Sequence, residues 1–204
     1  MTVTNLSEAE LLRLMAAGDE DAFAVLYRKH QGAVFRFALL MSGSAGIAEE
    51  VTQEVFLTLM REPSRFDTTR GTLPAFLHGV ARNQVLRLLK RERPYLPLVP
   101  AAEDATEAAR SVAREDPFRE CTRNETIELV RQAVLSLPAR YREVIVLCDF
   151  QELSLADAAV ALNCPVGTVN SRLNRGHALL LRKLCALSEQ DSNAHKTQAL
   201  RCFA

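Results

Sequence analysis

A run of polar and basic side chains near residue 170 has the chemistry to recognise DNA. Hydroxyl, amide and guanidinium groups can hydrogen-bond to base edges and phosphates in the major groove. The residues 154–164 that precede the run have the pattern of a short amphipathic helix and a tight turn. The two stretches together predict a helix-turn-helix. The candidate DNA-contacting residues are Thr168, Asn170, Ser171, Arg172, Asn174 and Arg175.

A second polar set lies in loop 67–72 and along the helix predicted after it. Hydroxyls and amides can recognise an unstacked base, an aromatic ring can stack on one, and basic side chains can contact phosphates. The alternative is an ordinary helix–helix connection whose phenylalanines belong to a core. The candidates are Asp67, Thr68, Thr69, Arg70, Thr72, Phe76, Arg82, Asn83, Arg87 and Lys90.

A third set is acidic and lies on a predicted helix over about residues 45–61. Glu50, Gln53, Glu54 and Leu57 are spaced i, i+3, i+4 and i+7, so they share one helix face. A different stripe of the same helix is apolar and is expected to pack inward. The polar face would suit a basic partner surface, although such faces are often simply solvated. The inward stripe consists of Ile47, Val51, Val55, Phe56 and Leu59.

The elements that must position these groups are predicted to be helices throughout. Apolar residues recur with a 3.6-residue period, and no alternating strand pattern is present. Ser7 with Glu10 predicts a capping box for a first helix, and Asp19 predicts the start of a longer one ending near Met41. A fourth helix is expected after Thr72, extending to about residue 92.

The chain is predicted to form two small helical domains joined by a flexible linker. Three prolines between residues 94 and 100 exclude a continuous helix there, and the acidic residues that follow are expected to be loosely ordered. The polar end of the chain is expected to be a disordered tail. The predicted divisions are 1–93, the linker 94–122, the second domain 123–187 and the tail 188–204.

Composition narrows the possible functions. The formal net charge is zero, which argues against a general nucleic-acid coat protein, and basic residues concentrate in 82–93. The five cysteines form no CxxC pair, and no metal cluster, cofactor loop or nucleophile–base pair is found, so neither an enzyme nor a metal protein is expected. The N-terminus does not resemble a signal peptide, and no apolar run is long enough to cross a bilayer, which predicts a cytoplasmic protein without membrane insertion.

Several motifs occur in a characteristic order over residues 18–93 and 124–185. By these motifs the chain resembles the extracytoplasmic-function (group IV) sigma factors of bacterial RNA polymerase. The resemblance implies that the first domain is sigma region 2 and that the second is sigma region 4. The motifs are AEExxQEVF at 48–56, FD at 66–67, GTL at 71–73, FL at 76–77, ARN at 81–83, LPxRYREV at 137–144 and PVGTVxSRL at 165–173.

The resemblance also implies roles for the three candidate sets. The face with Glu50, Gln53 and Glu54 would dock on the clamp helices of the polymerase β′ subunit, and the β flap is expected as a further contact of the core enzyme. Loop 67–72, with Phe76 and Asn83, would open the −10 element and capture a flipped base. The helix-turn-helix would recognise the −35 element. An anti-sigma factor is expected as a further partner.

Two other classes of protein remain possible from sequence. One is a helix-turn-helix regulator that binds an operator without engaging polymerase, and the other is a helical adaptor that binds only proteins.

The predicted linker is long enough for a protein that binds two promoter elements at once. Promoter elements about 25 base pairs apart are separated by roughly 85 Å at ~3.4 Å per pair. A linker near 30 residues can extend to about 100 Å, so it can span that distance.

Overall fold

The computed structural model describes residues 6–92 and 121–202, with side chains described for 6–91 and 127–187. These residues form helices and short connections without any β-strand, as expected from the sequence. A 3₁₀ turn, Pro63–Arg65, follows the third helix, and a π-helical segment, Val146–Phe150, extends the sixth. The α-helices are α1 Glu8–Ala16, α2 Glu20–Ser42, α3 Ala45–Arg61, α4 Leu73–Glu92, α5 Cys121–Leu135, α6 Ala139–Ile145, α7 Leu155–Leu162 and α8 Val166–Cys202.

The first three helices begin at side chains that cap them. Ser7 and Glu10 form the predicted capping box, in which the Glu10 amide donates to Ser7 Oγ at 3.3 Å and the Ser7 amide donates to Glu10 Oε2 at 2.9 Å. Asp19 caps α2 and Ser44 caps α3. Gly43 ends α2 at φ 75°, a left-handed conformation that glycine adopts without steric strain. The predicted helix starts are confirmed.

The first half of the structure comprises residues 6–92, and helices α2, α3 and α4 enclose its core. The apolar stripe predicted on α3 is buried along its whole length. Burying a large apolar side chain contributes about 1.5–3 kcal/mol relative to leaving it exposed, so these contacts hold the three helices together. The fully buried large side chains of this half are Leu26, Val34, Phe37 and Met41 of α2, Val51, Val55 and Leu59 of α3, and Leu73 and Leu77 of α4.

In the second half, residues 121–202, Arg142 of α6 makes hydrogen bonds to three backbone carbonyls. Its guanidinium donates to the carbonyls of Leu135 and Leu137, which end α5 and the turn after it, and to the carbonyl of Met41 in α2 at 2.7 Å. Burial lowers the pKa of Arg142, because removing the guanidinium from water disfavours its charged form. One side chain therefore ties α5 and α6 together and joins them to the first half.

The two halves are packed against each other. Helix α7 lies on α4, and the π-helical segment lies on α2. The two helices approach each other closely at Gly79 of α4, where a Cβ would stand 3.3 Å from the carbonyl oxygen of Ala161. Buried residues of both halves form one continuous apolar cluster, among them Leu77 and Ala81 from α4 and Ala158 and Ala161 from α7.

Two expectations about chain organisation differ from the structure. Helix α5 begins at Cys121, so the last two residues of the predicted linker 94–122 are helical; the rest of it, residues 94–120, lies outside the described residues. Helix α8 continues to Cys202 through most of the segment 188–204 that was expected to be a disordered tail. The tail is polar, which suggested disorder, but it contains neither proline nor glycine to end the helix.

Candidate nucleic-acid interface

The outer face of α3 carries the acidic set. Glu50 and Gln53 are exposed, and Glu54 and Leu57 are half-buried, while the opposite stripe of the helix faces the core. Within the described residues the three polar side chains make no hydrogen bond or ion pair. The face therefore presents two carboxylates and an amide that are available to a partner.

A shallow groove runs beside this face, between α2 and α3. Its lining joins aromatic rings with amides and charged groups, and Gln53 belongs to both the groove and the face. The Tyr27 ring of this lining also packs edge-on against Phe56 of α3, with the ring centroids 4.7 Å apart, which joins the two helices. The lining residues are Tyr27, Arg28, Gln31, Gly32, Phe35, Glu49, Thr52 and Gln53.

Loop 67–72 is shaped by Asp67. Its Oδ1 accepts from the Thr69 amide at 2.9 Å and from Thr69 Oγ1 at 2.7 Å, and the Arg70 amide donates to the Asp67 carbonyl at 3.0 Å. The hydrogen bonds from Thr69 hold the pKa of Asp67 below its usual value, because they favour the carboxylate form. The turn leaves Thr68 and Arg70 exposed.

The aromatic pair beside the loop is only partly accessible. The Phe66 and Phe76 rings are tilted with centroids 5.6 Å apart, and both side chains are half-buried against the core. The position of Phe76 is therefore compatible both with a role in the core and with stacking on a base, because the ring packs on the core and is still partly exposed.

Helix α4 divides the basic set into free and engaged members. Asn83, Arg87 and Lys90 are exposed along the helix. Arg82 instead forms an ion pair with Glu143 of α6, in which its Nη2 donates to Oε1 at 3.3 Å and its Nε donates to Oε2. The sequence predicted Arg82 as a phosphate contact, and in this structure its guanidinium is occupied by a carboxylate.

Thr72 is engaged in a similar way. Its hydroxyl accepts a 3.4 Å hydrogen bond from the Ala75 amide, which caps α4 as predicted, and donates to Asp157 Oδ1 of α7 at 2.8 Å. Burial acts to raise the pKa of Asp157, but hydrogen bonds from Ser154 and Thr72 outweigh it and leave the pKa lowered. The Asp157 carboxylate thus links the helix-turn-helix to the loop before α4.

The predicted helix-turn-helix is present. Ser154 caps α7 through the Asp157 amide at 3.0 Å, and Asn163 ends it at φ 49°. Helix α8 then begins at Val166, and Val169 anchors it by being fully buried. The candidate side chains lie on its outer side: Asn170, Ser171, Asn174 and Arg175 are exposed, and Thr168 and Arg172 are half-buried.

Close packing behind the recognition helix depends on Gly176. A Cβ at this position would lie 2.9 Å from Ile145 Cδ1 and 3.6 Å from Tyr141 Cβ, both on α6. The glycine therefore allows α8 to lie directly on α6. Farther out, His177 Nε2 and Asp149 Oδ2 are 2.7 Å apart, which joins α8 to the π-helical segment.

The site residues that sequence reasoning missed all lie between the two halves. Glu143 and Asp157 contact residues 61 and 85 positions away along the chain. Sequence spacing carries no signal for such pairs, because they arise only when the two halves pack together.

Two further negative findings apply to the described part of the chain. None of its helices is long and apolar enough to span a membrane, and it has no side-chain cluster suited to a metal ion.

Comparison with protein families divides the chain at the same place as the fold. Residues 26–95 match the family model for Sigma-70 region 2, and residues 127–180 match the model for Sigma-70, region 4. The ECF RNA polymerase sigma factor SigW of Bacillus subtilis (strain 168) is 32% identical over 180 residues, which cover 85% of this chain and 94% of the relative. SigM of Mycobacterium tuberculosis (strain H37Rv) is 33% identical over 178 residues, covering 87% and 85%.

Solved structures with a similar fold include two complexes. CnrH in complex with the cytosolic domain of CnrY is 25% identical, with a TM-score of 0.62 over 89% of this chain and 96% of that one. The sigma factor RpoE in complex with the anti-sigma factor NepR from Bartonella quintana is 21% identical, with a TM-score of 0.55 over 76% of this chain and 91% of that one, which shows a shared fold.

A region 2 unit followed by a region 4 helix-turn-helix defines a sigma factor, a protein that directs RNA polymerase to promoters at transcription initiation. With relatives above 30% identity along most of its length, the chain belongs to the ECF RNA polymerase sigma factors. The resemblance deduced from the motifs is confirmed. An operator-binding regulator that ignores polymerase is not favoured, because it would leave region 2 without a role.

Proposed function

We propose that the sigma factor docks on core polymerase through the outer face of α3. The observation that carries this assignment is the pairing of a fully buried inner stripe with an outer face whose Glu50, Gln53 and Glu54 have no partner in the described residues. Unpaired carboxylates favour a basic partner surface. In this proposal, which the family resemblance supports, that surface is the clamp helices of β′, and Leu57 contributes an apolar contact.

The −10 element is recognised, in this proposal, by loop 67–72 and the exposed side of α4. Hydroxyls of Thr68 and Thr69 and the half-open ring of Phe76 are suited to an extruded base, whose stacking is worth about 1–3 kcal/mol. Arg87 and Lys90 are exposed and suited to phosphates. Strand opening follows from this capture of unstacked bases.

The −35 element is recognised by the first turns of α8 in the major groove. Four of its six candidate side chains point outward where Val169 holds the helix against the domain. Asn170 and Asn174 are one helical turn apart, so together they present two amides to base edges. Arg172 and Arg175 supply charge for phosphates or guanine.

We propose that each predicted domain has its own role. Residues 1–93 dock on core polymerase and recognise the −10 element, and residues 123–187 recognise the −35 element and contact the β flap. Residues 94–122 connect the two domains. We further propose an anti-sigma factor as a partner; CnrH, which this chain resembles over most of its length, is bound by the cytosolic domain of CnrY. We also propose that the chain acts in the cytoplasm and catalyses no reaction itself, as expected of a sigma factor.

Two variants test the docking face and the −35 assignment separately, because each should impair one activity and leave the other intact. Glu50→Lys with Glu54→Lys reverses the charge of the docking face and should abolish binding to core polymerase. Arg172→Ala should leave polymerase binding intact while weakening −35-dependent promoter binding by roughly fivefold to a hundredfold, since a lost base or phosphate contact is worth about 1–3 kcal/mol. Promoters are first found by sequencing the 5′ ends of transcripts made by core polymerase with this protein on genomic fragments.

Matched controls exist for both variants. Glu20→Lys with Glu62→Lys makes the same change of charge at exposed positions away from the docking face, and Arg182→Ala removes an exposed arginine farther along α8. Both controls should behave like the wild type. Normal polymerase binding by the Glu50/Glu54 variant would refute the docking face, and normal promoter binding by Arg172→Ala would refute the −35 assignment.

A further inference from the structure

We propose that Met60 is a methionine oxidation site on the docking face of α3, and that oxidation of its sulfur weakens the hold of the chain on core polymerase. The inference rests on the proposed function, because it requires the outer face of α3 to bind polymerase. It is carried by the exposure of Met60, by the position of Met60 on the helix, and by the burial of two other methionines, Met15 and Met41. The oxidant is a hydroperoxide.

Met60 is a large apolar side chain that lies at the surface. It is 50% exposed in the last turn of α3, whereas Leu59 beside it is fully buried. Within residues 6–91, the other exposed side chain of this kind is Leu6, at the start of the described chain. A single exposed apolar side chain is common and needs no explanation, but one within a binding surface has a function there. The neighbours of Met60 on the helix therefore decide what its exposure means.

Those neighbours belong to the docking face. Met60 follows Leu57 by three residues and Gln53 by seven, and both spacings place side chains on the same side of a helix. Leu57 is half-buried, so it and Met60 form an apolar edge beside the polar groups of the face. Protein interfaces combine an apolar centre with a polar rim, and methionine is enriched in them. Docking of this face therefore buries the Met60 thioether against polymerase.

Hydrogen peroxide converts such a thioether into a sulfoxide. The sulfur lone pair attacks one peroxide oxygen, and an S–O bond forms as the O–O bond breaks. The oxygen retained by sulfur gives up its proton, and the departing oxygen leaves as water. The sulfur loses two electrons and the peroxide gains them. Methionine sulfoxide reductases reverse the change, since two thiols supply two electrons and become a disulfide while the oxygen leaves as water.

The sulfoxide changes what the docking face can bind. Oxidation turns a flexible apolar side chain into a polar one, which disrupts interfaces that contain methionine. Burying a polar group without a hydrogen-bond partner is unfavourable, so the affinity for polymerase should fall by roughly fivefold to a hundredfold. Met60 is exposed and lies outside the apolar cluster of the described residues, so the fold of the free chain does not depend on its thioether.

Other sulfur atoms can be distinguished from that of Met60. Met15 is 8% exposed and Met41 is 1% exposed, so peroxide reaches both less readily. Cys148 is half-buried, and burial raises the pKa of its thiol, which keeps the reactive thiolate scarce. Cys185 is exposed, but dithiothreitol reverses the oxidation of a thiol to a sulfenic acid or a disulfide and leaves a methionine sulfoxide intact. Treatment with dithiothreitol therefore separates the two kinds of reversible oxidation.

Exposure of the full-length chain to hydrogen peroxide, followed by dithiothreitol, tests the proposal. Mass spectrometry of its peptides should find the sulfoxide at Met60 well before Met15 and Met41. The oxidised chain should bind core polymerase roughly fivefold to a hundredfold more weakly than the untreated chain. Methionine sulfoxide reductases A and B should restore the binding. Oxidation of Met15 or Met41 as fast as that of Met60, or unchanged binding after oxidation of Met60, would overturn the proposal.

Variants assign the effect to one position. Met60→Leu keeps an apolar side chain that peroxide does not oxidise, so its affinity for polymerase should be the same before and after treatment, whatever its starting value. Met60→Gln introduces a polar side chain and should weaken binding without peroxide. Leu6→Gln makes a similar change at the other exposed apolar position and should bind like the wild type. Circular dichroism of each variant shows whether it is folded.

Two kinds of failure can be told apart. A Met60→Leu chain that loses affinity on treatment as the wild type does, or a folded Met60→Gln chain that binds like the wild type, would refute the role of Met60 and leave the docking face standing. An untreated wild type that does not bind core polymerase, or a Glu50/Glu54 variant that binds normally, would refute the proposed docking itself and with it the inference.

Discussion

At the scale of single residues, the absence of a side chain determines several of the closest contacts. Gly176 lies in the middle of α8, where alanine would stabilise an isolated helix by about 1 kcal/mol. The structure supplies the reason for glycine there, because the Ile145 side chain of α6 occupies the space that a Cβ would need. Helix α8 is thereby held against α6 just beyond the turns that are proposed to face DNA.

Gly176→Ala should therefore destabilise the protein although it improves helix propensity. We expect a net loss of up to about 2 kcal/mol in the free energy of unfolding, since overpacking a core costs about 1–3 kcal/mol and the better helix propensity offsets about 1 kcal/mol of it. Gly167→Ala in the same helix is the control: nothing lies within 4 Å of a Cβ there, so it should be neutral or slightly stabilising. Chemical denaturation followed by circular dichroism measures both. A Gly176→Ala protein as stable as the wild type would show that α6 and α8 are less tightly packed.

At the scale of helices, the first half contains two buried histidines that join its elements. His30 of α2 lies 3.0 Å from a carboxylate oxygen of Glu8 in α1. His78 of α4 makes a 2.7 Å hydrogen bond with the Pro74 carbonyl and lies edge-on to the Phe37 ring of α2. Burial lowers the pKa of both histidines, and for His30 it outweighs the opposing effect of Glu8. The fold therefore favours the neutral form of both rings.

This preference predicts a loss of stability in mild acid. A histidine whose folded pKa lies below its unfolded value near 6.5 contributes fully above that pH, and its contribution is lost as the pH falls below 6.5 toward the folded pKa. The free energy of unfolding should thus fall between pH 7.5 and 5.5. His78→Gln cannot be protonated there and should reduce this fall, with His30 causing part of the remainder. Equal slopes for His78→Gln and the wild type would contradict the assignment.

At the scale of the whole molecule, the two parts proposed to contact DNA lie against each other in this structure, whereas the proposed function requires them to be far apart on a promoter. The contacts that hold them together, at Thr72–Asp157 and Arg82–Glu143, join parts of the chain on either side of residues 94–120. The connection between the halves must therefore allow two very different separations. The reach of about 100 Å estimated for the connection is sufficient for both.

Energy transfer between dyes at Ser64 and Ala178, two exposed positions near the −10 loop and on α8, should follow this change. We expect efficient transfer in the free chain and its loss when core polymerase and a promoter fragment are added, because the elements then lie roughly 85 Å apart. Polymerase with DNA lacking a promoter serves as the control for docking alone. Efficient transfer that persists in the promoter complex would refute simultaneous binding of both elements.

The sequence alone was sufficient for everything that local chemistry controls. Capping side chains at Ser7 and Asp19 mark helix starts because they act on amides a few residues away. The period of apolar residues showed which stripe of α3 is buried. The order of short motifs identified the sigma family and with it the candidate residues, since those motifs lie within single elements.

Only the tertiary structure decided how the elements meet. Nothing in the sequence near Arg82 or Thr72 predicts that carboxylates 61 and 85 residues away would engage them. The sequence likewise gives no reason for Gly176, which is unfavourable inside a helix. The structure supplies the reason, because the Ile145 side chain packs against this position. Helix α8 runs to Cys202 through the polar end of the chain for a related reason, because polar composition predicts solvent exposure and does not by itself end a helix. Local hydrogen bonding can be deduced along the chain, whereas packing between distant segments depends on the shape of both partners.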